Sequence, residues 1–290
     1  MSKIAILTDS ACDIPAELEA RYGIDILPFT ITLDGVSYTE RQDFTMEQYY
    51  DMLRNAKGVP STAHITAIRF CEQYCKYVDE EYTEVLHVTL NSTGSATYDA
   101  ARMAMDMLEE ERPGHNLKIH LVDSHTYSMV QGWPLCEAAR KIRNGGEVRM
   151  AVAELEHIYA RSEAILAAFS LKQMKKSGRI SAAAAFAGEL LGLRPVISLI
   201  DGVSVVQNKV RGDAAVLPAM VKLAAARATD IKNEDYMIGY TDVACVDDLV
   251  RQCKKEFGHP PVQVFHLGAA VSSNTGPDAI AIVYLGEARR

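Results

Sequence analysis

The sequence has no long apolar run and only six cysteines. A membrane-spanning helix needs about 20 apolar residues, whereas the apolar run nearest the N-terminus covers only residues 4–7 and is too short even for a signal peptide. The six cysteines are scattered without a Cys-x-x-Cys pair, which predicts free thiols rather than a disulfide framework. We therefore expect a cytoplasmic protein.

An excess of positive charge is also missing. The net charge is −8 and the pI is about 5.5, so the chain lacks the clustered basic residues that replace the counterions of nucleic acids. Hydrophobic residues make up 48% of the chain and charged residues 23%, a balance typical of an ordered globular protein. A length of 290 residues favours two domains over one.

Motifs of several enzyme classes are absent as well. There is no G-x-S-x-G elbow, no G-x-x-x-x-G-K-[ST] phosphate loop and no three-glycine dinucleotide fingerprint. The eight histidines show no zinc-binding spacing. We therefore predict no catalytic residues, no metal and no cofactor, and a protein that is not an enzyme.

The first half of the chain alternates apolar strands with helical segments. Strands are predicted over residues 3–7, 24–33, 84–89 and 119–122, and each gives way to a loop of Ser, Thr or Asp. In a parallel sheet such loops meet at the carboxyl edge, where helix N-termini present free N–H groups. This predicts an α/β domain over residues 1–150, built on a parallel doubly wound sheet with its ligand loops at that edge.

The second half has a different pattern. A glycine pair at 145–146 marks a boundary, and residues 151–290 predict a second α/β domain. Asp201 and Gly202 stand between two apolar runs, which is a strong hairpin signal. We expect a mixed sheet with helices in this domain.

A set of hydroxyl side chains stands in the predicted loops without an activating base. Hydroxyls and free backbone amides can bind an anion without transforming it, and the same residue types serve as helix caps and turn residues. Both interpretations stay open for Ser10, Ser61, Thr62, Thr66, Ser92, Thr93, Ser95, Thr97, Ser124 and Ser128.

Several short segments, taken in order, resemble one known family. Residues 8–15 contain T-D-S and D-I-P, similar to the opening T-D-S-x-x-D-I-P of the DegV family of bacterial fatty-acid-binding proteins. Residues 91–98, N-S-T-G-S-A-T-Y, resemble its S-S-x-L-S-G-T-Y segment. Residues 122–132 resemble its V-D-S-x-x-x-S-x-G-x-G stretch, and K-S-G-R-I-S at 176–181 resembles K-G-G-R-I-S. The matches span nearly the whole chain.

The resemblance implies a bound long-chain fatty acid as the ligand. Its carboxylate would lie between the two domains, held by Thr62, by Ser95 with the backbone of Gly94, and by Asn274 in the position of a family histidine. Ser61 and Ala63 flank Thr62 in the same loop. The acyl chain would enter an apolar tunnel in the C-terminal domain, with walls from a helix over residues 182–193 and from Phe169, Ile197, Leu199, Leu267 and Val271.

The resemblance also implies a protein partner. A family member of this kind presents its fatty acid to a fatty acid kinase subunit, which phosphorylates the carboxyl group. Arg179, and Lys209 with Arg211 in a K-x-R-G match, are the residues expected to dock that kinase. The expected carrier is a monomer that does not bind nucleic acid and could contact a membrane transiently.

Three departures from the family pattern concern the head group. Residues 61–66 keep the threonine of T-S-Q-P-S but lose its serine, glutamine and proline. Asn274 replaces a histidine, which removes a possible cation, and Asp278 replaces a glycine with a negative charge. His64 is new in the loop and could turn toward the carboxylate.

An enzyme remains the alternative interpretation. The same loops could hold a small phosphorylated or carboxylated metabolite, with Arg179 or Lys209 stabilising charge that develops during the reaction. This interpretation predicts a shallow polar pocket instead of an apolar tunnel. A regulator that binds nucleic acid would need a basic face that the composition does not suggest.

Overall fold

A computed structural model describes residues 3–186 and 192–289 of the chain. The contacts between Cα atoms divide these residues into two compact units. The first comprises residues 3–30 and 63–159, and the second comprises residues 31–62 and 160–289. The sequence predicted that the chain passes from the first domain to the second only once, near residue 150. The chain instead leaves the first unit at residue 30, returns at 63 and leaves again at 159.

The first unit is built on a four-stranded sheet with the order β2-β1-β6-β7, in which every pair of neighbours is parallel. Its helices pack in two groups, α3 with α4 and α5 with both α1 and α6, as is typical of a doubly wound sheet. The elements are β1 (Ile4–Asp9), α1 (Ala16–Tyr22), β2 (Ile24–Leu27), α3 (Ala67–Asp79), β6 (Glu84–Thr89), α4 (Thr97–Glu111), β7 (Lys118–Asp123), α5 (Met129–Arg143) and α6 (Val148–Tyr159).

The apolar run of β1 forms the centre of this sheet because parallel strands are covered on both faces. Ile6 lies opposite Ile24 on one side and Leu86 on the other. Leu7 is fully buried. Polar residues therefore begin only where the strand reaches the edge of the sheet.

The second unit contains a six-stranded and a three-stranded sheet, ordered β10-β9-β8-β13-β11-β12 and β4-β3-β5. The larger sheet is mixed, because β11 and β12 are parallel whereas its other neighbours are antiparallel. The strands are β3 (Thr30–Leu33), β4 (Val36–Thr39), β5 (Ser61–Ala63), β8 (Ser162–Ala168), β9 (Leu193–Ile200), β10 (Val203–Arg211), β11 (Met237–Tyr240), β12 (Gln263–His266) and β13 (Ala279–Leu285).

The helices of the second unit cover this mixed sheet. One continuous core joins Ile165 and Ile280 on the strands to Met220 and Leu249 on two long helices. The helices are α2 (Met46–Asn55), α7 (Lys172–Ser177), α8 (Ser181–Ala184), α9 (Val216–Arg227), α10 (Val246–Phe257) and α11 (Ala269–Thr275). The predicted α/β class, with a parallel sheet in one unit and a mixed sheet in the other, is confirmed.

The hairpin predicted at Asp201 and Gly202 is confirmed. These residues join β9 to β10 and have φ angles of 48° and 73°. Positive φ at both central positions matches the twist of antiparallel strands, and glycine tolerates it at low cost.

Four short elements were not predicted. They are β4, β5, α7 and α11, of four, three, six and seven residues. Such short segments show little periodicity, so their pairing partners decide the structure. The helix predicted over residues 182–193 is seen only as α8, residues 187–191 lie outside the described residues, and Leu193 begins strand β9 instead. Among the described residues, none of the helices has both the length and the apolarity to cross a membrane.

His87 occupies a dry position in the middle of β6. The side chain is fully buried, and Nδ1 shares a 2.7 Å hydrogen bond with the hydroxyl of Tyr74. Within the described residues, Nε2 has no hydrogen-bond partner. Burial lowers the pKa of His87 to about 3, because water cannot solvate the imidazolium cation there.

We predict that His87 makes the protein less stable in mild acid. An unfolded histidine titrates near pH 6.5, so between about pH 6.5 and 3 the unfolded state binds a proton that the folded state excludes. The free energy of unfolding should therefore fall by about 2–3 kcal/mol between pH 7.5 and 4.5 through this residue alone. Urea unfolding of wild type and His87→Gln at both pH values measures it. An equal loss in the variant would contradict the prediction.

Candidate functional site

The carboxyl edge of the first unit's sheet carries one loop held between two aspartates. Strand β6 lies between β1 and β7, and these flanking strands end at Asp9 and Asp123. The loop that follows β6 covers residues 90–96 and leads into α4. It contains Gly94 and Ser95, the predicted ligand contacts of this unit.

Asp9 binds the start of this loop. Its Oδ2 atom accepts a 2.8 Å hydrogen bond from the Leu90 amide, and its Oδ1 atom accepts one of 3.1 Å from the Ala11 amide. The side chain is completely buried, and Nε2 of Gln131 lies 3.4 Å from Oδ2. A buried carboxylate with several donors is well satisfied, so it can fix the backbone where the chain leaves the sheet.

Asp123 binds the same loop two residues further on. Its Oδ1 atom accepts hydrogen bonds from the Ser92 amide at 3.2 Å and from the His125 amide at 2.8 Å. The His125 Nδ1 atom lies 3.2 Å from its Oδ2 atom. The loop is therefore held from both neighbouring strands.

Asn91 and Tyr127 shape the middle of the loop. The Nδ2 atom of the buried Asn91 side chain donates to the Tyr127 hydroxyl at 2.8 Å and to the Thr93 hydroxyl at 2.9 Å. The backbone carbonyl of Asn91 accepts a 3.1 Å hydrogen bond from the Gly94 backbone amide. A Cβ atom at Gly94 would lie 2.2 Å from the Tyr127 hydroxyl oxygen. Glycine is therefore required here by close packing rather than by a special backbone angle.

Ser95 stands at the N-terminus of α4. Its hydroxyl lies 2.9 Å from the Thr97 hydroxyl and accepts a 3.3 Å hydrogen bond from the Thr97 amide. The side chain is half-buried, and α4 extends over 15 residues. The positive end of such a helix favours a bound anion. When Thr97 donates to Ser95, the Ser95 proton is available to a ligand.

Residues 61–63, which were predicted to contact the ligand from a loop, form the short edge strand β5 instead. Thr62 is half-buried, whereas Ser61 and Ala63 are exposed. Among the described residues, no hydrogen-bond partner reaches the Thr62 hydroxyl. His64, the new residue of this segment, is exposed.

Asn274 lies near the end of α11 in the second unit. Its Nδ2 atom donates to the carbonyl of Ala270 at 2.9 Å, which leaves one N–H and the Oδ1 atom for other partners. Ser272 and Ser273 make the same kind of bond to the preceding turn, at 2.8 and 2.7 Å. Three consecutive side chains thus bind to the helix's own carbonyls.

The extra negative charge at Asp278 is partly balanced within the second unit. Nη2 of Arg54 lies 3.9 Å from its Oδ1 atom, and Arg54 also pairs with Asp242. This positive neighbour reduces the repulsion that Asp278 would exert on an anion.

The three basic residues predicted to dock a partner are all exposed. Lys209 and Arg211 lie on β10, the edge strand of the six-stranded sheet, and Arg179 lies just before α8. Helix α8 packs on β10 through Ser181, whose hydroxyl lies 3.1 Å from that of Ser204. The two basic segments are therefore attached to each other.

The predicted tunnel residues differ in exposure. Ile197 and Leu267 are buried, and Phe169 packs against the core of the second unit. Leu199 and Val271 are half-buried. Their burial fits core packing as well as contact with an acyl chain.

The structure brings Gly94 and Ser95 together in the first unit and places Thr62 and Asn274 in the second. Sequence reasoning missed Asp123, Asn91 and Tyr127 as parts of the site. A signal existed for Asp123, because an aspartate directly after a buried strand lies at the carboxyl edge of a parallel sheet. Tyr127 had no such signal, since its role depends on how residues 124–128 fold back over the loop.

Comparison with known families gives one consistent match. The family model described as "Uncharacterised protein, DegV family" matches residues 3–287. A DegV domain-containing protein of Caldanaerobacter subterraneus subsp. tengcongensis is 27% identical over 285 residues, which cover 98% of this chain and 99% of that protein.

Two solved structures show the same similarity in three dimensions. A DegV family protein from Thermus thermophilus, described by its fatty acid binding, is 27% identical with a TM-score of 0.86, covering 98% of this chain and 100% of that one. A fatty-acid-binding DegV family protein from Streptococcus agalactiae is 25% identical with a TM-score of 0.84, covering 99% and 100%. The similarity therefore extends over both units.

We predict that Gly94 and Tyr127 are energetically coupled. Gly94→Ala should push the Tyr127 hydroxyl away from Asn91 and cost about 1–2 kcal/mol of unfolding free energy, because a buried amide loses its partner. Tyr127→Phe should cost about 1 kcal/mol for the same hydrogen bond. The double variant should cost clearly less than the sum. Urea unfolding of the four proteins tests this, and strict additivity would contradict it.

Proposed function

The chain belongs to the DegV family, and from this premise we propose that it binds one long-chain fatty acid and carries it without transforming it. The DegV proteins of T. thermophilus and S. agalactiae, similar to this chain over nearly its whole length, are described as fatty-acid-binding. The single observation that carries the proposal for this chain is the loop of residues 90–96, which Asp9 and Asp123 hold in place and which presents the Ser95 hydroxyl at the N-terminus of α4.

In the first unit, the Ser95 hydroxyl is the proposed donor to the carboxylate, and the backbone of Gly94, whose amide already donates to the Asn91 carbonyl, is the proposed neighbouring contact. A carboxylate near the positive end of α4 accepts hydrogen bonds and gains favourable charge interaction at the same place. The Asp9 and Asp123 bonds hold the loop in shape before the ligand arrives. Little ordering is then needed on binding.

In the second unit, the Thr62 hydroxyl is the proposed contact. It is half-buried and uncommitted among the described residues, so it can donate to a carboxylate oxygen. Ser61 and Ala63 contribute the neighbouring backbone of β5, and Asn274 contributes its remaining N–H. An asparagine donates a hydrogen bond without the positive charge of a protonated histidine. The electrostatic attraction between this site and a carboxylate is therefore weaker than the family pattern implies.

Most of the affinity should come from the acyl chain. Burial yields about 0.8 kcal/mol per methylene, so a tail of about fifteen carbons contributes on the order of 10 kcal/mol before entropic costs. The hydroxyls need only offset the desolvation of the carboxylate. The tail thus supplies affinity, and the head group supplies orientation.

The surroundings of Ser95 favour a carrier over an enzyme. Its hydroxyl bonds with Thr97, a second hydroxyl that cannot serve as a general base at neutral pH. A serine nucleophile needs an activating base within hydrogen-bond reach. The proposed chemistry is therefore binding alone, with no cofactor.

We further propose that a fatty acid kinase subunit docks on Arg179, Lys209 and Arg211. Their exposure and the packing of α8 on β10 support one basic docking face in the second unit. Exposed basic side chains attract an acidic or phosphate-bearing partner. In this proposal the carrier is a cytoplasmic monomer that contacts membranes only transiently and does not bind nucleic acid.

The head-group assignment predicts that Thr62→Val and Ser95→Ala each weaken binding of a long-chain fatty acid about 10- to 150-fold, since a hydrogen bond to a charged group is worth about 1.5–3 kcal/mol. Isothermal titration of delipidated protein with palmitate measures the dissociation constants. Thr32→Val on the neighbouring strand β3 and Ser92→Ala in the same loop are matched controls, and both should leave affinity unchanged. Equal affinities for all five proteins would remove Thr62 and Ser95 from the site.

The docking assignment predicts a different defect. Reversing charge in a Lys209→Glu, Arg211→Glu variant should lower acyl-phosphate formation by an added fatty acid kinase at least about tenfold, because an attractive face becomes repulsive. Affinity for the fatty acid should stay the same. Lys222→Glu, on exposed α9 surface, is the control. Normal turnover with the double variant would place kinase docking elsewhere.

A further inference from the structure

A groove of about 580 Å³ lies on the first unit and uses none of the residues assigned above. It runs along α3 and α4 and continues to the residue after α4. Its lining combines sulfur atoms with charged side chains: Ile68, Cys71, Glu72, Cys75, Lys76, Asp79, Glu80, Met107, Glu111 and Arg112.

Three of these residues bring soft sulfur donors into the groove. Cys71 and Cys75 are one turn apart on α3 and therefore share a face. Both thiols are free, Cys71 is buried and Cys75 is half-buried. Met107 adds a thioether from α4.

We propose that this groove binds a soft monovalent metal ion of the Cu(I) class through the sulfur atoms of Cys71, Cys75 and Met107. Thiolate and thioether ligands select Cu(I) over harder ions. Residues one helical turn apart have Cβ atoms about 5–6 Å apart, a distance that two metal–thiolate bonds of about 2.3 Å can span. Each thiol releases its proton to solvent as its bond to the metal forms, and no electron is transferred.

The donor set argues against zinc in the same place. Zinc in structural sites takes four ligands from Cys, His, Asp and Glu. Within the described ranges, no group of three or more such side chains is arranged to hold a metal. Two thiolates and a thioether suit an ion that accepts two or three ligands.

The charges of the groove also favour a cation. Four carboxylates and two basic side chains line the groove. Arg112 donates two hydrogen bonds of 2.9 Å to the Asp79 carboxylate. Lys76 lies 3.9 Å from Glu80. Glu72 lies 3.4 Å from Arg69, so among the described residues Glu111 is the carboxylate of the lining without an ion-pair partner, and its charge attracts a positive ion to the sulfurs.

Disulfide formation does not compete well, because residues one helical turn apart have Cβ atoms about 5–6 Å apart, beyond the usual disulfide distance.

The test is anaerobic titration of the full reduced chain with Cu(I) against bicinchoninate as competing chelator. We expect one equivalent bound by wild type, a loss of at least about 100-fold in Cys75→Ala and Cys71→Ser, and a loss of about tenfold in Met107→Leu. Cys245→Ala removes a half-buried thiol of the second unit and should leave binding unchanged. Circular dichroism and unchanged palmitate affinity verify that each variant is folded.

Three outcomes would overturn the proposal. They are failure of wild type to compete with the chelator, equal binding in wild type and the Cys75 variant, and a loss in the Cys245 control as large as that in the Cys75 variant. X-ray absorption of the loaded wild-type protein gives an answer without mutation. A first shell of sulfur alone supports the assignment, and a shell of nitrogen and oxygen contradicts it.

Discussion

Two carboxylates, at the ends of the two strands that flank β6, hold the loop on which the proposed function depends. Asp9 is the last residue of β1 and accepts a hydrogen bond from the Leu90 amide. Asp123 is the last residue of β7 and accepts one from the Ser92 amide. A chain leaving the middle of a parallel sheet carries amides that have lost their strand partners, and these must be paired. The carboxylates satisfy them, so Gly94 and Ser95 are presented at a defined edge.

The hydroxyls of that loop serve structure and binding together. The Ser95 hydroxyl accepts a hydrogen bond from the Thr97 amide at the start of α4, and it is also the proposed donor to a carboxylate. The hydrogen bond within the loop and ligand binding therefore do not exclude each other. The proposed metal groove involves the same helix, because Met107 lies ten residues after Thr97, about 15 Å along its axis. A rigid α4 would support both sites within the first unit.

Much of the fold could be predicted because burial on parallel strands leaves long apolar runs. Strand β6 has the predicted bounds, and the hairpin at Asp201 follows from local turn chemistry. The polar strand β5 could not be predicted in this way. Its three residues become a strand only by pairing at the edge of a sheet whose other strands are residues 30–39. The same long-range packing assigns residues 31–62 to the second unit.

The sequence by itself determined the alternation of strands and helices, the family resemblance and the hydroxyl residues proposed for the head group, because these are encoded in local pattern and order. Only the tertiary structure decided which groups hold those residues in place. Tyr127 reaches Gly94, Arg54 approaches Asp278, and His87 is buried without a partner for Nε2 among the described residues. Each depends on segments distant in the chain, whose meeting is set by packing of the whole unit rather than by neighbouring residues.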